Sequence, residues 1–193
     1  WYLTSPASVH DRFVDVPDGA WYISAVDYVL IHNIMSGNTN GTFAPEKALT
    51  RAELVTLLWS KEGKPEAASD VSFNDVADSD WFAAKVKWAA AAGIVSGYTD
   101  GSFKPNKQVS RQELAQMIFA YAKYKNVDVS ASGSLAGFSD SNAAGGWARP
   151  ALQWAVGAGI LSGSNGRLMP ANSAKRCEVA SMFMRFVENF KLN

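Results

Sequence analysis

The chain has 193 residues, with 18 basic and 18 acidic side chains and a formal net charge of zero. That balance argues against nucleic acid, whose partners need a basic face to displace counterions, and against a polybasic role at a membrane surface. Hydrophobic residues make up 48%, enough for a packed core, yet no apolar run approaches the ~20 residues of a membrane span.

The chain opens Trp1-Tyr2-Leu3 with no basic n-region. A signal peptide is therefore absent or removed, or the chain is a piece of a larger protein. The first organised phrase is Phe13-Val14-Asp15-Val16, and it returns as Phe73-Asn74-Asp75-Val76 and Phe138-Ser139-Asp140-Ser141. A Trp follows each time, at Trp21, Trp81 and Trp147. A helix is expected from about Trp21 to His32 and over the equivalent segments, with Tyr28, Trp88 and Trp154 packing in the core. Asn33, Gly93 and Gly159 supply the left-handed residue that closes a helix, and Ile34, Ile94 and Ile160 supply the hydrophobic contact that accompanies it.

Each unit then runs through Ser36-Gly37, Ser96-Gly97 or Ser162-Gly163 into a turn. The turns are Asn38-Thr39-Asn40-Gly41, Tyr98-Thr99-Asp100-Gly101 and the shorter Ser164-Asn165-Gly166. Flanking pairs such as Ile94-Val95 and Ser102-Phe103 leave room for very short hairpins. Pro45, Pro105 and Pro170 follow, and a second helix begins five residues later. Thr50-Arg51-Ala52-Glu53 and Ser110-Arg111-Gln112-Glu113 fit the capping box, with Leu49 and Val109 as staple residues. The third copy reads Ala174-Lys175-Arg176-Cys177-Glu178. Losing the hydroxyl should weaken that helix start by ~1 kcal/mol unless Asn172 or Ser173 caps it. The segments 61–72 and 126–137 read as linkers.

One unit is thus written three times, and an internal repeat outranks other fold signals. The repeats are expected at 11–62, 71–125 and 136–190. A unit of about 50 residues hides too little surface to stand alone. The expected fold is all-α-dominated, one domain over 1–193, with the three copies closed about a pseudo-threefold axis.

The recurring Arg51, Arg111 and Arg176 at helix starts are the leading functional candidates. Free N–H groups and the helix dipole favour an anion there, and a guanidinium offers a planar fork to a carboxylate or phosphate. Gly37, Gly97 and Gly163 would let a ligand approach the backbone, and Trp21, Trp81 and Trp147 offer flat faces to sugars. Asn40, Asp100 and Lys175 complete the candidate set. The structural alternative is that each Arg pairs with a carboxylate of a neighbouring repeat, a pattern that mimics a site.

Other chemistry is weaker. Asp15, Asp75 and Asp140 recur singly, without an acid/base pair. Asp75, Asp78 and Asp80 miss the calcium-loop spacing. Asn40-Gly41-Thr42 matches the short glycosylation pattern, which has a high false-positive rate. His10 and His32 are unrelated in phase, so neither a metal site nor a triad is expected. Cys177, the single cysteine, excludes an intramolecular disulfide. A first-turn position favours its thiolate, but packing is the better reading of a lone cysteine.

The order Phe-x-Asp-Val, Trp, Gly-Ile-x-Ser-Gly, Asp-Gly-x-Phe-x-Pro and Thr-Arg-Ala-Glu closely resembles the S-layer homology domain of bacterial surface proteins. Copy two, from Gly93 to Glu113, carries the pattern most fully. The resemblance implies a secreted, cell-surface module that is not an enzyme and needs no cofactor. It implies grooves between repeats that hold a peptidoglycan-linked secondary cell wall polysaccharide through pyruvylated N-acetylmannosamine. The family's Arg maps onto Arg51, Arg111 and Arg176, and its groove glycine onto Gly37, Gly97 and Gly163. The pyruvyl carboxylate is an anion of the kind the Arg argument calls for. The module is expected to be a monomer that inserts in no membrane. A scaffold docking protein partners, with structural Arg ion pairs, is the second reading, and a wall-active hydrolase the third. Because repeat three has the altered helix start and the shorter turn, the groove using Arg176 is expected to be the weakest.

Overall fold

A computed structural model describes residues 9–66 and 71–192. The opening Trp1-Tyr2-Leu3 and part of the first linker lie outside the described residues. Among the described residues six α-helices carry the fold: α1 Ile23–Ile31, α2 Arg51–Lys61, α3 Ala83–Ala91, α4 Arg111–Tyr124, α5 Arg149–Gly157 and α6 Arg176–Phe190. Among the described residues there is no strand, only isolated bridges, and no helix is long and apolar enough to cross a membrane.

The first helix of each repeat begins two residues after its Trp in repeats one to three, with the Trp itself on the preceding turn. Its stop follows the sequence. Asn33, Gly93 and Gly159 are left-handed at φ 54°, 68° and 71°. Ile34, Ile94 and Ile160 are buried behind them, each donating its N–H back to the helix, as Ile34 does to Val29 O at 2.8 Å. Trp88 and Trp154 are buried in the core, and Tyr28 packs against it half-buried.

Helix pairing runs between repeats. The second helix of one copy packs on the first helix of the next: α2 on α3, α4 on α5, and α6 back on α1. Every apolar stripe therefore finds its cover in another copy, which is why a single copy could not bury its own face.

The segments before α2, α4 and α6 meet at the centre and close the ring. Val109 N–H donates to Leu49 O at 2.9 Å, Leu49 N–H to Ala174 O at 3.1 Å, and Ala174 N–H to Val109 O at 2.7 Å. Three segments thus exchange three bonds in a cycle, and all three side chains are buried. Ala174 fits this crowded centre although it is smaller than Leu49 and Val109.

Two expectations about local structure change. The hairpin pairing starts at the turn itself, with Tyr98 N–H donating to Ser102 O at 2.8 Å and only a bridge between Ser164 and Arg167 in copy three. The segment 126–137 is pinned to the fold: Gly133 N–H donates to Gln153 O at 2.7 Å. A Cβ on Gly133 would lie 2.6 Å from Gly157 N, so this stretch touches α5 backbone to backbone.

Candidate ligand grooves between repeats

Cyclic packing brings residues of all three repeats to each groove. Arg51 of repeat one meets Gly97 and Tyr98 of repeat two and Trp147 of repeat three. Arg111 of repeat two meets Gly163 of repeat three and Trp21 of repeat one. Arg176 of repeat three meets Ser36 of repeat one and Trp81 of repeat two. The grooves hold about 480, 440 and 360 Å³ respectively, within the range of small-ligand sites. Gly37 is the exception to the pattern and lines a separate recess with Phe13.

The tryptophans stand out into solvent. Trp21, Trp81 and Trp147 are 64%, 58% and 57% exposed, whereas the guanidinium-bearing Arg51 and Arg111 are each only 6% exposed. Their neighbours Tyr22 and Phe82 are buried and hold Trp21 and Trp81 edge-on at 5.4 and 5.3 Å between ring centroids. An exposed aromatic face beside a guanidinium is the structural feature shared by the three grooves, with the guanidinium buried at Arg51 and Arg111 and half-buried at Arg176.

The helix starts are not open to an anion, which corrects the sequence argument. Arg51 N–H is taken by Lys107 O at 2.9 Å and Ala52 N–H by Pro105 O at 3.0 Å. Arg111 and Gln112 donate likewise to Asn172 O and Pro170 O, and Arg176 and Cys177 to Lys47 O and Pro45 O. The next N–H in α2 and α4 goes to Thr50 Oγ1 or Ser110 Oγ, which completes both capping boxes. In α6 neither Asn172 nor Ser173 replaces the hydroxyl: Ser173 Oγ donates to Gln108 at 2.8 Å. Glu178 still accepts from Lys175 N–H at 2.9 Å, so half of the box survives.

The arginines also serve the fold. Each donates from Nε to a carbonyl of the next repeat at 2.8 Å: Arg51 to Phe103, Arg111 to Leu168 and Arg176 to Phe43. Arg51 and Arg176 use Nη2 on Ser96 O and Ser36 O. Cross-repeat carboxylates approach Arg51 and Arg111: Glu113 lies 4.0 Å from Arg51 Nη1, and Glu178 pairs directly with Arg111. Burial raises the Glu113 carboxyl, but hydrogen bonds from Lys107 and Ser110 outweigh it and hold the group down at about 2.

The glycines are required for a different reason from the one expected. A Cβ on Gly37 would meet the Phe13 ring at 1.9 Å, and one on Gly97 the Phe73 ring at 2.5 Å. On Gly163 it would lie 2.7 Å from Phe138 and 2.6 Å from Arg167 O. The opening Phe of each repeat fills the space that a ligand was expected to use.

Asn40 and Asp100 are likewise spent on their own turns. Asn40 Oδ1 accepts from Thr42 Oγ1 at 2.7 Å, and Asp100 Oδ1 from Ser102 N at 3.0 Å. The Ser102 hydroxyl and N–H hold the Asp100 carboxyl at about 2. Neither residue lines the three grooves. Lys175 does line a groove, but that of Arg111, where its ammonium pairs with Glu46. Cys177 is buried, and burial pushes its thiol up to about 11, so the first-turn thiolate is not formed.

Asp15, Asp75 and Asp140 have a role that the sequence reading missed. Each carboxylate accepts two successive N–H groups across the repeat; Asp15 takes those of Phe43 and Ala44, both at 2.7 Å. Asp75 and Asp140 do the same at 2.7 to 2.8 Å. The second donor is left-handed each time, at Ala44, Lys104 and Met169. The signal was a single Asp at fixed phase ahead of a non-glycine bend. Asp78 and Asp80 turn instead to Lys87 and Ala77 N, apart from Asp75.

Comparison with known proteins adds a family. The S-layer homology domain model matches three times, at residues 12–55, 72–115 and 137–180. The chain is 30% identical over 167 residues to Cell surface glycoprotein 1 of Acetivibrio thermocellus, covering 82% of this chain and 7% of that protein. It is 31% identical over 169 residues to the Surface-layer 125 kDa protein of Lysinibacillus sphaericus, covering 86% and 14%. It is 33% identical over 111 residues to the Cellulosome-anchoring protein of A. thermocellus, covering 55% and 25%. The chain thus spans a minor part of the length of these relatives.

Proposed function

The chain belongs to the S-layer homology domain family, and on that premise we propose that it anchors a surface protein non-covalently to the bacterial cell wall. The ligand is the secondary cell wall polymer linked to peptidoglycan, held through pyruvylated N-acetylmannosamine. The single observation that carries this reading is the repeated pairing of a solvent-facing Trp with a guanidinium, buried at Arg51 and Arg111 and half-buried at Arg176, across three repeats, in each groove. A sugar ring stacks on the indole while its carboxylate meets the remaining guanidinium donors. The names of the relatives, among them a surface-layer and a cellulosome-anchoring protein, are in keeping with a place on the cell surface. The module works as a monomer and contributes no catalysis of its own; any activity belongs to what it carries.

A specific observation favours the second reading, a docking scaffold for proteins: the arginines are bound to backbone carbonyls, as structural groups would be. The two readings part in one experiment. Purified sacculi should pull down the chain, and removal of the pyruvylated polymer should abolish this. Retention on stripped sacculi would refute the polymer reading.

A further inference from the structure

The three grooves are alike in backbone but not in charge, and one residue makes the difference. In repeat one Lys47 Nζ holds Glu53 at 2.9 Å, and in repeat two Lys107 Nζ holds Glu113 at 2.5 Å. Asn172 stands at the same place in repeat three. The register is preserved, because Asn172 O accepts from Arg111 N–H just as Lys107 O accepts from Arg51 N–H. With no lysine at this place, Glu178 Oε1 turns across the groove to Arg111, while Oε2 keeps the Lys175 N–H of its own repeat.

Arg111 has changed in a second way. Arg51 and Arg176 each bond the carbonyl of the Ser before the groove glycine, at 3.1 and 2.7 Å. Arg111 makes no such bond to Ser162 among the described residues. The shorter turn of repeat three puts Gly163 at φ 68°, while Gly37 and Gly97 are not left-handed. Nη1 of Arg111 instead faces a carboxylate of the protein itself.

Two further cations line this groove, Lys175 and Arg185, but each has an internal partner. Lys175 pairs with Glu46, and Arg185 Nη1 reaches Ile160 O at 3.4 Å. Around Arg51 the carboxylate stands off at 4.0 Å, held by Lys107 and Tyr98. Arg176 Nη1 has no partner among the described residues. What an anion meets is the set of free donors rather than the sum of charges, and a buried pair must be broken before its guanidinium can serve a ligand.

We propose that Asn172 leaves the Arg111 groove closed by its own Glu178, so that this chain binds acidic sugar through the Arg51 and Arg176 grooves and only weakly through the third. It puts the weak groove at Arg111, where the sequence alone pointed to Arg176. The odd features of repeat three belong to the groove of Arg111, because each groove borrows its walls from the next repeat. The inference rests on the polymer reading above.

The test uses the whole chain and a synthetic pyruvylated N-acetylmannosamine monosaccharide in titration calorimetry. The parent should bind two equivalents. Asn172→Lys should raise this to three. In a Trp81→Ala/Trp147→Ala background, which blunts the other two grooves at exposed positions, Asn172→Lys should tighten binding about tenfold, equivalent to ~1.4 kcal/mol. Glu178→Gln, which keeps an oxygen for Lys175 N–H, should do the same, so the result does not depend on how one variant folds. Three equal sites in the parent, or no gain from either folded variant, would overturn the proposal while leaving the polymer reading intact. No binding by any groove would defeat the polymer reading and this proposal with it.

Discussion

Arg51 Nε donates to the carbonyl of Phe103, 2.8 Å away in the neighbouring repeat, and its guanidinium lies 4.6 Å over the Phe103 ring. Arg176 stands in the same relation to Phe43, with the same two distances. These contacts fasten one repeat to the next before any ligand is present. Arg51→Ala is expected to lower folding stability by roughly 2–3 kcal/mol, since it strips a buried carbonyl of a charged donor. Reduced stability in urea unfolding would show it. A shift within ~0.5 kcal/mol would mean that water repairs the carbonyl.

Binding is better separated from folding at the tryptophans. Trp21, Trp81 and Trp147 are more than half exposed, so their truncation should cost within ~0.5 kcal/mol of stability, as for most surface changes. Trp81→Ala/Trp147→Ala should nevertheless weaken retention on sacculi well beyond either single variant, because linked sites add avidity. Parent-like retention by the folded double variant would remove the stacking faces from the site.

Most of the fold was legible in the sequence because its signals are local. Asn33, Gly93 and Gly159 announced left-handed helix stops, and Thr50 and Ser110 announced capping boxes; each is decided within about one helical turn. What the sequence concealed lies between repeats. That Arg111 rather than Arg176 faces the shortened turn of repeat three follows from the direction of the cyclic packing, which spacing does not encode. The N–H groups at each helix start looked available until Lys107 O, Asn172 O and Lys47 O arrived from the adjacent copy. Gly97 looked like room for a ligand because its filler, Phe73, is distant in sequence.

The ring predicts strong cooperativity. Because α6 covers α1 and α2 covers α3, loss of one repeat uncovers helices in the other two. Calorimetry should give one transition, with a van't Hoff enthalpy equal to the calorimetric one. Deleting residues 176–192 should unfold α1 as well. Persistent hydrogen-exchange protection in 23–31 of that truncated chain would contradict the closed ring.

His10 gives the fold a pH dependence of defined sign. Its N–H donates to Asp27 Oδ1 at 2.7 Å, and its ring Nδ1 lies 2.9 Å from Asp27 Oδ2. Asp11 and Asp18 stand 3.4 and 3.9 Å from Nε2. The hydrogen bond to Asp27 outweighs burial, and the neighbouring carboxylates add to it, so the imidazole is raised above its ordinary 6.5. A folded value above the unfolded one means that the folded state holds the proton more tightly. The stabilisation is full below about 6.5 and fades as pH climbs through the higher folded value. Urea midpoints for the parent should therefore fall, as pH rises from about 6.5 through the higher folded value, relative to those of His10→Gln, which cannot take up the proton. The difference should be confined to that window, because Glu113, held near 2, loses its contribution only as pH drops from the ordinary carboxylate range toward 2. Parallel midpoints for parent and variant across the neutral window would show that His10 is neutral in the fold and that its contact with Asp27 needs no charge.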